Sequence, residues 1–373
     1  MKVSNVWIIT ESNYLHTWLC ELVKYLEREG FRVFLVTLQK QGAIHKEFID
    51  SSSIFAWSVY NDFLQILKFA RLVIQNRDTA LFALGHRSIC FAMFMKVLTK
   101  ASLTICFVQQ ARYFELMKLS KSKNTRLRGT FHEAISRFYL QKSDYIQSVS
   151  LETTEKLHYI GRRRNIIEIP LGVSDSFFLD PIANRVDNVD FSKAVFPYIL
   201  SIGRLAPEKN HQHTILVFND FIKTNPTYHL IIAGDGSQKV ALQNLIDKMG
   251  LASRVHLIGF VTNLFDLIDN SSLFVHSSYT EGYASVQMEV RLRNKPIVST
   301  PTGVALDMER LQDPLVKIVR SLDTTESVNV WVEMIAQKAS GNWSKPRYIY
   351  LDHSSSRVFM ALSSHFKRAT TNT

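Results

Sequence analysis

The sequence predicts an α/β protein made of two domains, each with a parallel sheet. Three observations carry this expectation. Short apolar runs alternate with segments of helical apolar spacing along most of the chain. The earliest runs, at 6–10 and 31–37, are nearly unbroken apolar runs rather than alternating ones, as a sheet covered on both faces requires. A polar stretch at 181–195 without periodicity then divides the alternation in two. A chain of 373 residues is long enough for two or three domains. The expected boundaries are a first domain at 1–180, a linker at 181–195, a second domain at 196–345, and a C-terminal helix and tail at 346–373.

The first domain opens with a strand at 6–10, a helix at 14–29 stopped by Gly30, and a strand at 31–37. The helix follows from the spacing of Leu15, Trp18, Leu19, Leu22, Val23 and Leu26. Further strands are expected at 54–60, 80–83, 103–108, 145–149 and 166–169, with helices at 63–75, 131–141 and 152–159. The loop after the first strand, Thr10-Glu11-Ser12-Asn13, holds no glycine; Ser12 or Asn13 can cap the helix or face a ligand. His86 follows Gly85 at a strand's C-terminal end, where α/β proteins form their sites. The stretch 111–130 is basic and weakly patterned, and reads as a mobile loop or surface helix.

The second domain carries two stretches with chemical content. In the first, a strand at 198–202 ends at Gly203, and Arg204 and Lys209 follow in a loop before a helix starting near Asn210. Two exposed cations at a strand end suit a diphosphate, arginine as a planar fork and lysine as a point charge. In the second, a strand at 273–276 runs through Glu281-Gly282 into a helix at 283–293 and a strand at 296–299. Amides near Ala284 and Ser285 open that helix and can bind an anion. Glu289 lies one turn beyond Ser285 on the same face and leans back toward the helix start, where it could accept from ribose hydroxyls. Glu281 precedes the helix and is free to point elsewhere. Between these stretches lie strands at 228–233 and 255–258, and Gly259-Phe260-Val261 offers a seat for a nucleotide base. Phe260 is otherwise a core residue by its type. After Gly303 the pattern weakens to a strand at 316–320 and helices at 328–339 and 354–367.

Taken in order, Gly203-Arg204…Lys209, Gly234-Asp235-Gly236-Ser237, Leu257-Ile258-Gly259-Phe260, Glu281-Gly282…Glu289 and Lys295-Pro296-Ile297-Val298 resemble the second domain of family 4 retaining glycosyltransferases of the GT-B fold. The resemblance covers about 196–305, and the runs at 143–150 and 169–173 extend it back to about 140. It implies two Rossmann-like domains facing a cleft, with the C-terminal helix crossing back to the first. It implies a nucleotide-diphosphate sugar as donor, a lipid-linked or glycan acceptor, retention, and neither metal nor cofactor. Arg204 and Lys209 would grip the diphosphate and, with Glu281 by the donor sugar, form the catalytic set. Gly203, Gly259, Phe260, Val261, Gly282, Tyr283, Ala284, Ser285 and Glu289 would complete the donor site. Asn13, His86, Gln109 and Gln110 would line the acceptor side. The two glutamines stand where relatives often carry a histidine; they can hydrogen-bond a sugar but cannot exchange a proton with it. A non-catalytic GT-B subunit or scaffold, and a nucleotide-sugar epimerase, are the alternatives.

Composition excludes other classes. Hydrophobic residues at 46% and charged ones at 21% describe an ordinary globular chain. No G-x-G-x-x-G follows the first strand, which argues against a dinucleotide enzyme, and no D-x-D stands ready for a divalent ion. Cys20, Cys90 and Cys106 sit in apolar contexts, as thiols of a reducing compartment do. The N-terminal apolar run is too short for a signal core, and 81–108 is broken by His86, Arg87, Lys96 and Lys100, against a membrane span. The expected location is the cytoplasm. The net charge is +11, and from Lys96 to Lys142 ten basic residues face two acidic ones. A basic face seeks a polyanion. Acidic lipid, nucleic acid and an anionic glycan are the candidates, and with no nucleic-acid motif present nucleic acid is the weakest; the resemblance implies the inner face of the cytoplasmic membrane as the setting.

Overall fold

A computed structural model describes residues 5–10, 17–38, 55–58, 63–76, 79–100, 103–108, 122–159, 165–173, 196–261, 264–339 and 355–368. It divides into two units, Met1–Ser174 with Leu351–Thr373, and Asp175–Tyr350. The linker stretch 181–195 lies outside the described residues.

Unit 1 runs β1 (Asn5–Thr10), α1 (Thr17–Arg28), β2 (Arg32–Thr37), β3 (Phe55–Ser58), α2 (Phe63–Gln75), β4 (Thr79–Leu84), α3 (His86–Thr99), β5 (Leu103–Val108), α4 (Lys123–Lys142), β6 (Tyr145–Ser148), α5 (Leu151–Tyr159) and β7 (Ile166–Glu168). The strands form one parallel sheet in the order β3-β2-β1-β4-β5-β6-β7. β1 is buried along its whole length, which is why its sequence does not alternate. Trp7 on β1 stacks on Phe34 at 4.0 Å between ring centres and meets Phe69 of α2 edge-on.

Unit 2 runs β8 (Tyr198–Ile202), a 3₁₀ turn (Pro207–Lys209), α6 (His211–Phe221), β9 (His229–Ala233), α7 (Lys239–Lys248), β10 (Val255–Gly259), α8 (Phe265–Asn270), β11 (Leu273–His276), α9 (Ser285–Leu292), β12 (Ile297–Ser299), α10 (Val304–Arg310), β13 (Val316–Ile318) and α11 (Thr324–Ala339). Its sheet is again parallel, in the order β10-β9-β8-β11-β12-β13. Phe218 and Phe221 of α6 pack with Trp331 and Met334 of α11 in its core. The order reverses between β8 and β11. There the loops leaving the two strands part to opposite faces and open a crevice at the strands' C-terminal ends. The last helix, α12 (Ser355–Arg368), returns to unit 1 and packs on α1. Phe366 meets Phe31 and Phe82 edge-on, and Lys367 pairs with Glu29 at 2.5 Å.

Several elements depart from expectation, four of them for identifiable reasons. α4 begins at Lys123 rather than 131, because lysine, arginine and leucine sustain helix through 123–128 and Gly129 is buried where the helix packs beside α3. The apolar, unamphipathic segment at 86–99 is α3, a helix packed between α2 and α4. α10 rises directly after Gly303, where no periodicity announced it. α9 starts two residues late because Ala284 is left-handed at φ 60°.

Close backbone approach fuses the ends of β8, β9 and β10. Gly203 N–H donates to the Ala233 carbonyl at 3.0 Å, Leu205 N–H to Asp235 at 2.9 Å, and Gly234 N–H to Gly259 at 2.7 Å. A Cβ on Gly234 would lie 1.9 Å from the Gly203 carbonyl oxygen, and one on Gly236 would lie 2.5 Å from that of Leu205. Both glycines also hold positive φ, 150° and 156°. Gly250, at φ 68° with open space around it, is the internal control. Gly250→Ala should cost only the left-handed penalty, roughly 1–2 kcal/mol. Gly234→Ala adds the clash and should cost roughly 3 kcal/mol or more. Urea unfolding of the two variants measures the difference, and equal losses would show that close approach is not the constraint.

Candidate donor site at the sheet reversal of unit 2

The two chemical stretches read from the sequence meet at the reversal point. Lys209 ends the 3₁₀ turn after β8, and Glu281 lies in the loop after β11. Their side chains form an ion pair across 72 residues of sequence. Backbone and hydroxyl bonds lace the loops beneath it. Tyr279 N–H donates to the Glu208 carbonyl at 2.8 Å. Ser277 Oγ donates to the Asn210 carbonyl at 2.8 Å and stands 2.8 Å from Thr214 Oγ1 on α6. Thr300 Oγ1 donates to the Ser278 carbonyl at 2.6 Å, bringing in the loop after β12.

Glu281 is held from three sides. Besides Lys209, its Oε1 accepts from Ser278 Oγ at 2.7 Å and from His276 Nε2 at 2.9 Å. Only a tenth of its side chain is exposed. Burial alone would raise its pKa, but the His276 hydrogen bond and charge, followed by those of Lys209, hold it at about 2. His276 ends the buried strand β11 and is itself buried. Glu281 was expected to face a sugar and Lys209 to be an exposed loop cation; instead each satisfies the other, because two opposite charges withdrawn from water cost less together than apart.

Arg204 remains the exposed cation. Its guanidinium reaches back to Glu208 at 2.7 Å with most of the side chain in solvent. Its carbonyl is pinned by His211 Nε2 at 3.2 Å, while Ser201 Oγ stands 3.3 Å from His211 Nδ1. Burial, and then the neighbouring His276, keep His211 neutral, with its pKa lowered to about 4. The ring therefore donates through Nε2 and accepts at Nδ1, which fixes the loop that carries Arg204.

α9 supplies the remaining groups. Ala284 caps it in the left-handed conformation, and the amides of Ser285 and Val286 stand in the first turn, where a helix offers no acceptor. Gly303 is folded beneath: a Cβ there would lie 2.7 Å from the Tyr283 carbonyl. Glu289 sits one turn on, largely withdrawn from solvent, and burial pushes its pKa up to about 7. The two carboxylates eight residues apart are thus driven in opposite directions by their surroundings.

Other expected residues divide. Phe260 is 79% exposed rather than core, since β10 ends at Gly259 and the sheet no longer covers it. Tyr283 is buried at 1%, so only its backbone can serve a ligand. Val261 and Gly282 stand in the loops that follow β10 and β11. In unit 1, His86 begins α3 at the end of β4, beside that sheet's own reversal point. Asn13, Gln109 and Gln110 lie outside the described residues. The sequence reading did not assign His276, Ser278 or His211 a role. A histidine closing an otherwise apolar strand, Leu-Phe-Val-His, was the signal available.

The chain resembles known proteins at two levels. Residues 188–317 match the family model of glycosyl transferases group 1. An uncharacterized glycosyltransferase of Methanocaldococcus jannaschii is 35% identical over 121 residues, 32% of this chain and 29% of that protein. The Campylobacter jejuni N-acetylgalactosamine-N,N'-diacetylbacillosaminyl-diphospho-undecaprenol 4-alpha-N-acetylgalactosaminyltransferase is 33% identical over 92 residues, 25% of this chain and 24% of that protein. The aligned stretches therefore span under a third of each relative. The crystal structure of Anabaena HepE in complex with UDP-glucose superposes with a TM-score of 0.69 over 98% of this chain and 96% of that one, at 16% identity. The likeness shows the fold, an α/β GT-B fold with parallel sheets, and the resemblance read from the sequence is borne out at that level.

The opposed carboxylates give a test by pH. A folded pKa near 7 means that ionising Glu289 costs stability as pH rises from 4.5 to 7, and the full cost is present above 7. Glu289→Gln should therefore stabilise the ligand-free protein at pH 8, by on the order of 2 kcal/mol. A folded pKa near 2 means that Glu281 contributes stability above 4.5 that is lost as pH falls toward 2. Glu281→Gln should destabilise by roughly 3 kcal/mol at pH 7, leaving the half-buried Lys209 without its carboxylate. Thermal unfolding of both variants across pH reads the sign directly; two shifts of the same sign would sink this account.

Proposed function

We propose that this chain is a glycosyltransferase that moves a sugar from a nucleotide-diphosphate donor to a hydroxyl acceptor, with retention of the anomeric configuration, in the manner of family 4. The observation that carries the reading is the meeting of Arg204, Lys209, Glu281 and the start of α9 at the reversal point of unit 2's sheet. Cations and open amides converge there beside a carboxylate of raised pKa. That combination fits a diphosphate followed by a ribose, and a structure of the same fold holds UDP-glucose.

On this reading the donor takes over charges that the site's own side chains balance among themselves. The diphosphate takes Arg204 from Glu208 and draws on Lys209, while the amides of Ser285 and Val286 receive a phosphate oxygen. As the sugar–phosphate bond breaks, negative charge grows on the leaving oxygens and positive charge on the sugar ring. Arg204, Lys209 and the helix start stabilise the first. Glu281, released from part of its pairing with Lys209, stands by the second, and His276 and Ser278 keep its carboxylate in place. Glu289, ionised above pH 7, accepts from the ribose. Phe260 supplies an exposed ring for the base. The acceptor belongs to unit 1, on the side of His86. A relative that acts on a diphospho-undecaprenol substrate supports a lipid-linked acceptor in surface polysaccharide or glycolipid synthesis.

Calorimetry with UDP, GDP and ADP identifies the nucleotide. Lys209→Met and Arg204→Ala should each weaken nucleoside-diphosphate binding by about tenfold or more, as loss of a charge-assisted hydrogen bond does. Glu289→Gln should mainly raise the donor KM, and Glu281→Gln should mainly lower kcat. Activity should persist in a chelator. If none of the three nucleotides binds, the ion pair is a finished structural element and the non-catalytic subunit is the better reading.

A further inference from the structure

Right-handed crossovers place α1 on one face of unit 1's sheet and α2, α3 and α4 side by side on the other, because β1 to β2 steps in one direction and β3 to β4, β4 to β5 and β5 to β6 step in the opposite one. The two faces differ outwardly. Of fifteen large apolar side chains exposed among the described residues, eight stand on α2, α3 and α4 and none on α1. On α4, Leu127, Phe131 and Phe138 are spaced four and seven residues apart, so they share one stripe, and all are more than half exposed. Val97 is 80% exposed and Phe94 52% on the neighbouring α3. The same three helices contain nine lysines and arginines against one acid, Glu133.

An apolar, exposed surface of this extent marks a contact, and its charge selects the occupant. A second copy docking symmetrically would set the six exposed cations of this face, Lys68, Arg71, Arg87, Lys123, Arg126 and Lys142, against the same six, while Lys96 is already paired with Asp144. An anionic bilayer satisfies both properties, its headgroups attracting the cations and its interface accepting the aromatic and aliphatic side chains. Among the described residues no helix is long and apolar enough to cross a membrane.

We infer that the α2–α3–α4 face of unit 1 docks on an anionic lipid surface, through Val97, Leu127, Phe131 and Phe138 dipping among headgroups and the surrounding lysines and arginines meeting their charge. This relocates the attraction from the basic stretch 96–142 to a three-helix face that also takes in α2. It rests on the proposed transfer only for its purpose, which is to hold unit 1 where a lipid-linked acceptor is presented.

Vesicle flotation of the full chain tests it. Binding to phosphatidylglycerol vesicles should exceed binding to phosphatidylcholine vesicles by tenfold or more, since each cation near an anionic surface contributes roughly fivefold, and high salt should release the protein. Leu127→Ser with Phe131→Ser should cut binding to phosphatidylglycerol by about tenfold while far-ultraviolet circular dichroism stays unchanged, both side chains being exposed. Lys100→Glu with Lys123→Glu should weaken it independently. Equal binding to both vesicles, no binding to either, or variants that float like the original chain would overturn the inference. So would a dimer in analytical ultracentrifugation that the serine pair dissociates, which would assign the face to a second copy. Nucleoside-diphosphate binding measured on the same preparations keeps the two ideas apart: its absence counts against the transfer and leaves the docking face standing.

Discussion

The second unit depends on a reversal of strand order between β8 and β11 and on what it does to two charges. Loops leaving neighbouring parallel strands in opposite directions leave the ends of the sheet uncovered. Lys209 and Glu281 stand at that opening, largely out of solvent and within contact of each other. A buried charge without a partner would be very costly. The loops are tied down by Ser277, Thr300 and the Tyr279 amide, which holds the two charges within reach of each other. Local order in a stretch with little regular structure follows from that electrostatic requirement.

The same opening treats its second carboxylate in the reverse way. Glu281 receives three donors and is stabilised as an anion, whereas Glu289 is partly buried on α9 and its pKa rises to about 7. Environments that push two titratable groups apart are a mark of sites that do chemistry. A group held at a cost to stability is hard to account for by packing alone. On the proposed function, a ribose that hydrogen-bonds the ionised form offsets that cost.

Much of this was legible in the sequence, for identifiable reasons. Strands buried on both faces read as unbroken apolar runs, and β5, β11 and α2 fall at the expected residues. Arg204 and Glu281 stood out because each is a charged residue beside a glycine beyond a strand end, and Lys209 and Glu289 by their spacing from them. Their pairing was not legible: nothing local says that Lys209 reaches Glu281 rather than solvent. His276 was hidden for the same reason, since a histidine in a strand looks alike whether it fills the core or holds a carboxylate. α3 escaped because it is apolar all round and so has no period, and the late start of α9 because left-handed alanine has no sequence signature. Phe260 was misjudged because residue type predicts burial only where a sheet continues.

The units share a topology around their reversal points but differ in how tightly sequence is bound to it. In unit 2, β8, β9 and β10 end in loops whose backbones approach so closely that Gly234 and Gly236 admit no side chain. In unit 1 the loop after β1 contains no glycine, and the sheet is held by apolar side chains such as Trp7, Phe34 and Phe69, for which other residues of similar volume would serve. The family match at 188–317 falls wholly within Asp175–Tyr350. This division has a physical sense on the proposed function. A nucleoside diphosphate is one chemical object, recognised by backbone amides and fixed cations, and its binding leaves few sequences open. An acceptor varies in size, charge and attachment, and a unit that must accommodate it is defined by burial pattern alone. The surface of unit 1 is then free to take on properties, such as the basic and apolar face of α2, α3 and α4, that neither the fold nor the donor requires.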